Sequence, residues 1–153
     1  RNITNEQTEH VFALCRKHGL KAHTFNILGA PDETRQQVWQ TVRMNQRLRP
    51  ERVQISIFVP YPGTPLGDQL EREGRILKHV DNYFSESPVK LAHLKPWEVK
   101  LYFRFFRLAV YATYSPRMAR QEIIGIVKWL RDKVYRKRTR YDLEAAATQV
   151  RED

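Results

Sequence analysis

Two apolar runs, each followed by a glycine and proline turn, set the fold class expected of this sequence. The first runs from Phe25 to Thr34 and reads F-N-I-L-G-A-P-D-E-T; the second runs from Val53 to Leu66 and reads V-Q-I-S-I-F-V-P-Y-P-G-T-P-L. Each starts as a strand-like stretch and ends in a turn of glycine and proline. Between them lies one amphipathic segment of helical length. This order predicts a βαβ unit with parallel strands.

The unit predicts a strand at 22–28, a helix at 34–48 and a second strand at 52–59. Asp32 or Thr34 is expected to cap the helix. Five helix residues share one face at helical spacing and are expected to be buried: Val38, Thr41, Val42, Asn45 and Leu48. Because the strands are parallel, the two loops that follow them lie at the same edge of the sheet, where α/β folds bind ligands.

Side chains alternate between the two faces of each predicted strand. In the first strand, Phe25 and Ile27 suit the face that meets helices, and Asn26 is then expected on the other face, either as a ligand-binding amide or as a structural one. In the second strand, Val53, Ile55, Ile57 and Val59 form the helix-facing side, and Gln54, Ser56 and Phe58 form the opposite side. That opposite side is either the polar lumen of a barrel or a half-exposed face.

Helical signals precede the unit. The sequence T-N-E-Q, from Thr4 to Gln7, predicts a capping box, and Gly19 predicts the helix end. The expected buried stripe of this helix is Val11, Phe12, Leu14 and Cys15.

Helices also follow the unit. Residues 67–78 predict a short helix ending at Gly74, and 79–95 show little periodicity. Aromatic residues interrupted by arginines fill 96–112, which indicates a helix packing face or, alternatively, nucleic-acid stacking. A second helix is expected from Pro116 to about Lys137, with an apolar stripe of Ile123, Ile126, Val127, Leu130 and Val134. The run R-K-R-T-R at 136–140 is a basic helix end or an anion-binding patch, and residues beyond Tyr141 are expected to fray.

The two loops carry a resemblance to a known family. G-A-P-D-E-T resembles the turn after the fifth barrel strand of radical S-adenosylmethionine (SAM) enzymes, and P-Y-P-G-T-P-L resembles the turn after their sixth strand. The spacing between the two resembles that of the cobalamin-dependent group. The chain departs from the family at Asp32, where glycine is usual. The phrase R-L-R-P-E-R-V-Q-I-S-I-F-V-P-Y-P-G-T is most similar to the anaerobic magnesium-protoporphyrin IX monomethyl ester cyclases.

The resemblance implies an α/β fold. Residues 1–78 would form the C-terminal portion of a (β/α)6 partial TIM barrel, with its last two parallel strands and their helices. Residues 79–95 would connect it to an α-helical C-terminal extension at 96–153. By the same resemblance, SAM would contact Asn26, Gly29, Phe58, Val59 and Pro60, and the candidates to face the substrate are Gln54, Ser56 and Tyr61.

The cysteine content separates this chain from a complete radical SAM enzyme. Such enzymes hold a [4Fe–4S] cluster on a C-x3-C-x2-C motif, whereas Cys15 is the single cysteine here. The resemblance therefore implies a fragment that is inactive alone, with no catalytic residue and no metal ligand of its own. Its parent would use SAM, the cluster and possibly cobalamin. It would act as an oxidoreductase, cyclase or methyltransferase through a 5′-deoxyadenosyl radical.

Composition adds expectations about partners and location. The net charge is +10 and the pI about 10.0, a balance that attracts anions. An alternative function is a basic helical module that docks nucleic acid or an acidic protein, although nucleic acid is the less favoured partner. The missing N-terminal part of the same chain and self-association through an open barrel edge are the other expected partners. No apolar run is long enough for a membrane span, and the single cysteine suits the cytoplasm.

Overall fold

A computed structural model describes residues 3–77 and 87–149, with side chains as far as Tyr135. Its elements are α1 (Asn5–Lys17), β1 (His23–Leu28), α2 (Arg35–Leu48), β2 (Arg52–Ile57), α3 (Pro65–Arg72), α4 (Pro96–Tyr111) and α5 (Pro116–Gln149). The chain is thus a mixed α/β protein, and the βαβ prediction is confirmed.

The two strands pair in parallel. Thr24 lies opposite Val53, and Leu28 lies opposite Ile57. Within the described residues no third strand joins either edge of this sheet. Helices α2 and α4 cover one face. The residues that the structure describes leave the opposite face uncovered, and we call it the open face.

Local signals set the helix ends where the sequence predicts them. Thr4 and Thr34 each form a capping box, with Gln7 and Gln37 as the reciprocal partners. Gly19 follows the end of α1 with a φ of +68°, a backbone conformation that glycine adopts without strain.

One hydrophobic core joins α2, the sheet and α4. Its members are Leu28, Val38, Val42, Val53, Ile55, Ile57, Leu94, Val99, Phe106, Val110, Tyr111 and Ala119. The alternation predicted for β2 is confirmed, because Val53, Ile55 and Ile57 are buried against the helices. The packing role predicted for the aromatic-rich helix is confirmed at Phe106 and Tyr111.

Tyr111 and Tyr114 anchor the end of α4 beside the start of β2. The buried Tyr111 hydroxyl accepts a hydrogen bond from the Val53 N–H at 2.8 Å. The Tyr114 hydroxyl donates to the Pro50 carbonyl, also at 2.8 Å. Helix α4 therefore packs beside the start of β2.

The faces predicted for β1 are wrong. Phe25 and Ile27, expected against helices, are 75% and 60% exposed on the open face. The helix-facing positions are Thr24, Asn26 and Leu28. Buried Asn45 of α2 explains this orientation, because it hydrogen-bonds both Thr24 and Asn26 and so makes polar side chains suitable there.

The apolar stripes predicted for α1 and α5 are also wrong. No residue of α1 is buried. In the α5 stripe Ile126 is buried, whereas Ile123, Val127, Leu130 and Val134 are exposed. Helical spacing identifies a face, but burial needs a second element to pack on it. Helix α5 packs on α4 along the adjoining face that carries Ala119, Glu122 and Ile126. Helix α5 also continues to Gln149, past the predicted end and the predicted fraying.

The segment before α4 folds back on the residues that follow α3. Val89 forms an antiparallel bridge with Ile76, and Gly74 ends the preceding turn with a φ of +63°. The sequence predicts either a long ordered loop or a substrate-covering segment at 79–95, and its residues His79, Tyr83 and Phe84 lie outside the described residues. Of the helices described, none combines the length and apolarity needed to cross a membrane.

Candidate functional site at the carboxyl edge of the sheet

The two predicted loops lie side by side. Loop 1 comprises residues 29–34 after β1, and loop 2 comprises 58–64 after β2. The Phe58 N–H donates to the Leu28 carbonyl at 2.7 Å, which extends the parallel ladder past the end of β2. The pairing of the strands therefore brings both loops to one edge.

Gly29 begins loop 1 with a φ of +77°. Its N–H donates to the Glu33 carboxylate at 2.6 Å, and a Cβ at this position would lie 3.3 Å from Val99 of α4. Burial raises the pKa of the Glu33 carboxyl, and the N–H groups of Gly29 and Ala30 oppose that rise. These contacts show that Gly29 shapes the loop and lets α4 approach it.

Arg75 fixes the far side of loop 1. Its guanidinium donates to the Pro31 carbonyl at 2.7 Å and contacts the Asp32 carboxylate at 3.1 Å. It also donates to the Lys90 carbonyl at 3.2 Å. Asp32 is therefore an ion-pair partner, and Thr34 is the cap of α2. Sequence reasoning missed Arg75, because no local pattern marks a contact between residues 43 positions apart.

A bidentate ion pair joins the helices behind loop 1. Arg35, at the start of α2, donates to both carboxylate oxygens of Glu98, at 2.6 and 3.1 Å. Glu98 also accepts the Lys95 N–H at 2.8 Å. The hydrogen bond from Arg35 is the main reason that the pKa of Glu98 is lowered. The pair holds the first turns of α2 and α4 together.

Loop 2 is held over the start of α3. Thr64 donates to the Tyr61 carbonyl at 2.7 Å, and the Gly63 N–H donates to Asp68 at 2.9 Å. A Cβ on Gly67 would lie 2.1 Å from the Tyr61 carbonyl oxygen, a distance that only glycine permits. The loop therefore has one defined path.

Val59 presents a free backbone edge within this loop. Its N–H and C=O form no hydrogen bond with another described residue, and Pro60 has no N–H to offer. Phe58 and Val59 are half-buried, and Tyr61 is exposed. A planar ligand with a donor and an acceptor has here a backbone partner for each.

The open face of the sheet adjoins this edge. Phe25 lies opposite Gln54, and Ile27 lies opposite Ser56, all on this face. Gln54 is exposed and Ser56 half-buried, so the predicted orientation of both is confirmed. Their contact with a substrate, like that of Tyr61, stays a prediction.

Asn26 does not point toward this face, and its predicted orientation is wrong. Its side-chain amide donates to the Gln54 carbonyl at 3.0 Å, and its side-chain oxygen accepts from Asn45 at 2.8 Å. Both ends of the amide are thus used inside the βαβ unit, as the structural alternative has it.

The described part of the chain holds no group of three or more histidine, cysteine, aspartate or glutamate residues placed to bind a metal ion. Cys15 lies half-buried in α1.

The chain is distantly similar to two named proteins. It is 30% identical over 113 residues to an uncharacterized methyltransferase of Pyrococcus horikoshii, a match that covers 72% of this chain and 25% of that protein. It is 34% identical over 80 residues to a probable threonylcarbamoyladenosine tRNA methylthiotransferase of Pyrococcus abyssi, covering 51% of this chain and 19% of that protein. The chain thus spans a quarter or less of each relative. No protein-family model matches it, and no solved structure matches it.

Proposed function

We propose that this chain is the SAM-side part of a radical SAM enzyme barrel, in which β1 and β2 are the last two barrel strands. The observation that carries the proposal is the free backbone edge of Val59, held beside loop 1 at the carboxyl edge of a parallel sheet. The relatives named methyltransferase and methylthiotransferase support an enzyme that transfers a methyl or methylthio group. The loop motifs extend the proposal to a cobalamin-dependent parent of the cyclase type.

The residues present fit SAM and do not fit the cluster. The adenine of SAM needs a donor and an acceptor in one plane, which Val59 supplies, and an apolar surface, which Phe58 supplies. Gly29 lets α4 approach loop 1, and Pro60 restricts the backbone of loop 2. SAM, when bound, supplies the reacting group, and this chain's part is to hold its adenosyl end. Cys15 alone cannot hold a [4Fe–4S] cluster, so the cluster ligands belong to another part of the parent.

The open face and the free edge of β1 are the proposed contact for the rest of the barrel. Phe25 and Ile27 expose apolar side chains there, and an unpaired strand edge is a template for another strand. The upstream part of the same chain is the proposed occupant. Gln54, Ser56 and Tyr61 would then face an enclosed substrate.

The test uses the full-length parent, whose reading frame we expect to contain C-x3-C-x2-C upstream. Val59→Pro removes the backbone N–H, whereas Val59→Ala keeps it and serves as the matched control. In the anaerobically reconstituted enzyme, equilibrium dialysis should show SAM binding weakened roughly tenfold by Val59→Pro and little changed by Val59→Ala, because one hydrogen bond in a dry site is lost. Equal SAM affinity in both variants, or an upstream sequence without the cysteines, would refute the proposal.

A further inference from the structure

A second surface lies at the opposite end of the sheet, where the strands begin. A groove of about 1270 Å³ opens there, lined by residues that include Phe12, His23, Arg52, Tyr114, Arg117 and Met118. A neighbouring hollow of about 630 Å³ continues it, because Arg16 and Arg49 line both. We call the two together the arginine groove.

The arginine groove carries a large excess of positive charge. Its cationic side chains are Arg16, Lys21, Arg43, Arg47, Arg49, Arg52 and Arg117, and the one acidic residue among its lining residues is Glu51. Glu51 lies 3.9 Å from Lys21, and Arg47 is paired with Glu9 of α1 at 2.7 Å.

The remaining cations are not neutralised by the fold. The side chains of Arg43, Arg49, Arg52 and Arg117 are exposed and form no hydrogen bond or ion pair with any residue that the structure describes. Arg16 donates to the Leu48 carbonyl and has no acidic partner in the described part of the chain. Folding therefore concentrates like charges here that repel one another, a cost that an anionic ligand would remove.

Arg49 carries a second energetic cost, which is strain in its backbone. It caps α2 in the left-handed conformation, with a φ of +49°, and it is the single described non-glycine residue with a positive φ. Glycine or asparagine is favoured at such a cap, and a residue before proline is biased toward extended backbone. Since the Arg49 side chain forms no hydrogen bond or ion pair with the described residues, the strained backbone at this position points to a ligand in the groove.

We propose that the arginine groove binds the phosphate backbone of a single-stranded nucleic acid. Several unpaired cations are spread along two joined hollows. A ligand with a chain of repeated phosphates could contact them all, whereas one small anion could not. Arginine also pairs with phosphate through two parallel hydrogen bonds. Phe12 and Tyr114 line the same groove, and aromatic rings beside a basic track stack unpaired bases.

This site is independent of the proposed SAM site. The six-residue strands separate the two sheet ends, a span of about 20 Å at ordinary strand rise. Nucleic-acid binding therefore needs neither SAM nor a cluster, and either proposal can fail while the other stands.

The experiment measures binding of a fluorescein-labelled oligouridylate of about 12 nucleotides to the whole chain by fluorescence anisotropy over a series of salt concentrations. The test variant is Arg49→Gln with Arg52→Gln. The control, Lys90→Gln with Lys128→Gln, removes the same charge from exposed positions outside the groove. We expect the test variant to bind roughly tenfold more weakly, with a logarithmic salt slope shallower by about 0.7 for each lost phosphate contact. The control should bind like the parent chain.

Three results would overturn the proposal. The first is no measurable binding of the oligonucleotide by the parent chain at low salt. The second is an equal loss of affinity in the control, which would mean attraction by net charge alone. The third is equal or tighter binding of a polyglutamate peptide of matched charge, which would assign the groove to an acidic protein. Circular dichroism melting of each variant checks that a loss of affinity is not a loss of fold.

Discussion

At the scale of single residues, the hydrogen bond of the Tyr111 hydroxyl should make a measurable contribution to the free energy of unfolding. Its hydroxyl is the acceptor of the buried Val53 N–H, so Tyr111→Phe leaves that donor unsatisfied. We expect a loss of about 1–3 kcal/mol in the free energy of unfolding, measured by urea denaturation at neutral pH. Tyr102→Phe is the matched control, because the Tyr102 ring packs edge-on against Trp39 and the change should cost under about 0.5 kcal/mol. Equal losses would contradict the assigned hydrogen bond.

The raised pKa of the same tyrosine predicts how the free energy of unfolding changes at alkaline pH. Burial raises the pKa of Tyr111 and of Tyr114 in the folded chain, whereas tyrosine in the unfolded chain titrates near pH 10. Above about pH 10 the unfolded state loses protons that the folded state retains, so stability should fall as pH rises. Urea midpoints measured from about pH 8 to 11 should show this fall, and the fall should be smaller in Tyr111→Phe. An unchanged pH dependence in that variant would contradict the role of burial.

At the scale of elements, α4 is part of the core rather than an appendage. Phe106 of α4 is buried in the core that α4 forms with α2 and β2. Phe106→Ala should lower the free energy of unfolding by about 3–5 kcal/mol. A chain that ends after Lys95 should not fold, because Val53, Ile55 and Ile57 would lose their cover, whereas a chain that ends after Tyr135 keeps the described core. Thermal melts followed by circular dichroism test both. A cooperative melt of the shorter chain would show that α4 is dispensable.

The elements also show how far the sequence predicts the fold. Helix ends at Thr4, Thr34 and Gly19 and the faces of β2 were predictable, because capping and alternation depend on nearby residues. The orientation of β1 was not, since Asn45 sets it from another element. Burial along α1 and α5 was not predictable either, because it depends on which helix packs beside them. At the site, the two loops were predicted from their motifs, whereas Arg75 and the arginine groove arise only from folding.

At the scale of the whole molecule, the open face of the sheet should drive association of the isolated chain. Phe25 and Ile27 expose apolar side chains beside an unpaired strand edge. We expect light scattering to show an average mass that rises with concentration, and Ile27→Lys to suppress the rise. Leu20→Lys, at an equally exposed apolar residue outside the sheet, should not. A chain that stays monomeric, with strand amides that exchange rapidly, would contradict this expectation.

The left-handed backbone of Arg49 has a consequence for anyone who engineers this protein for heat resistance. Glycine relieves the strain of a positive φ, so a search guided by melting temperature alone would select Arg49→Gly as an improvement. That variant would also remove one of the two cations, Arg16 and Arg49, that line both hollows of the arginine groove. Thermal stability and the proposed nucleic-acid binding therefore make opposite demands on residue 49, and selection for heat resistance alone should weaken the proposed binding.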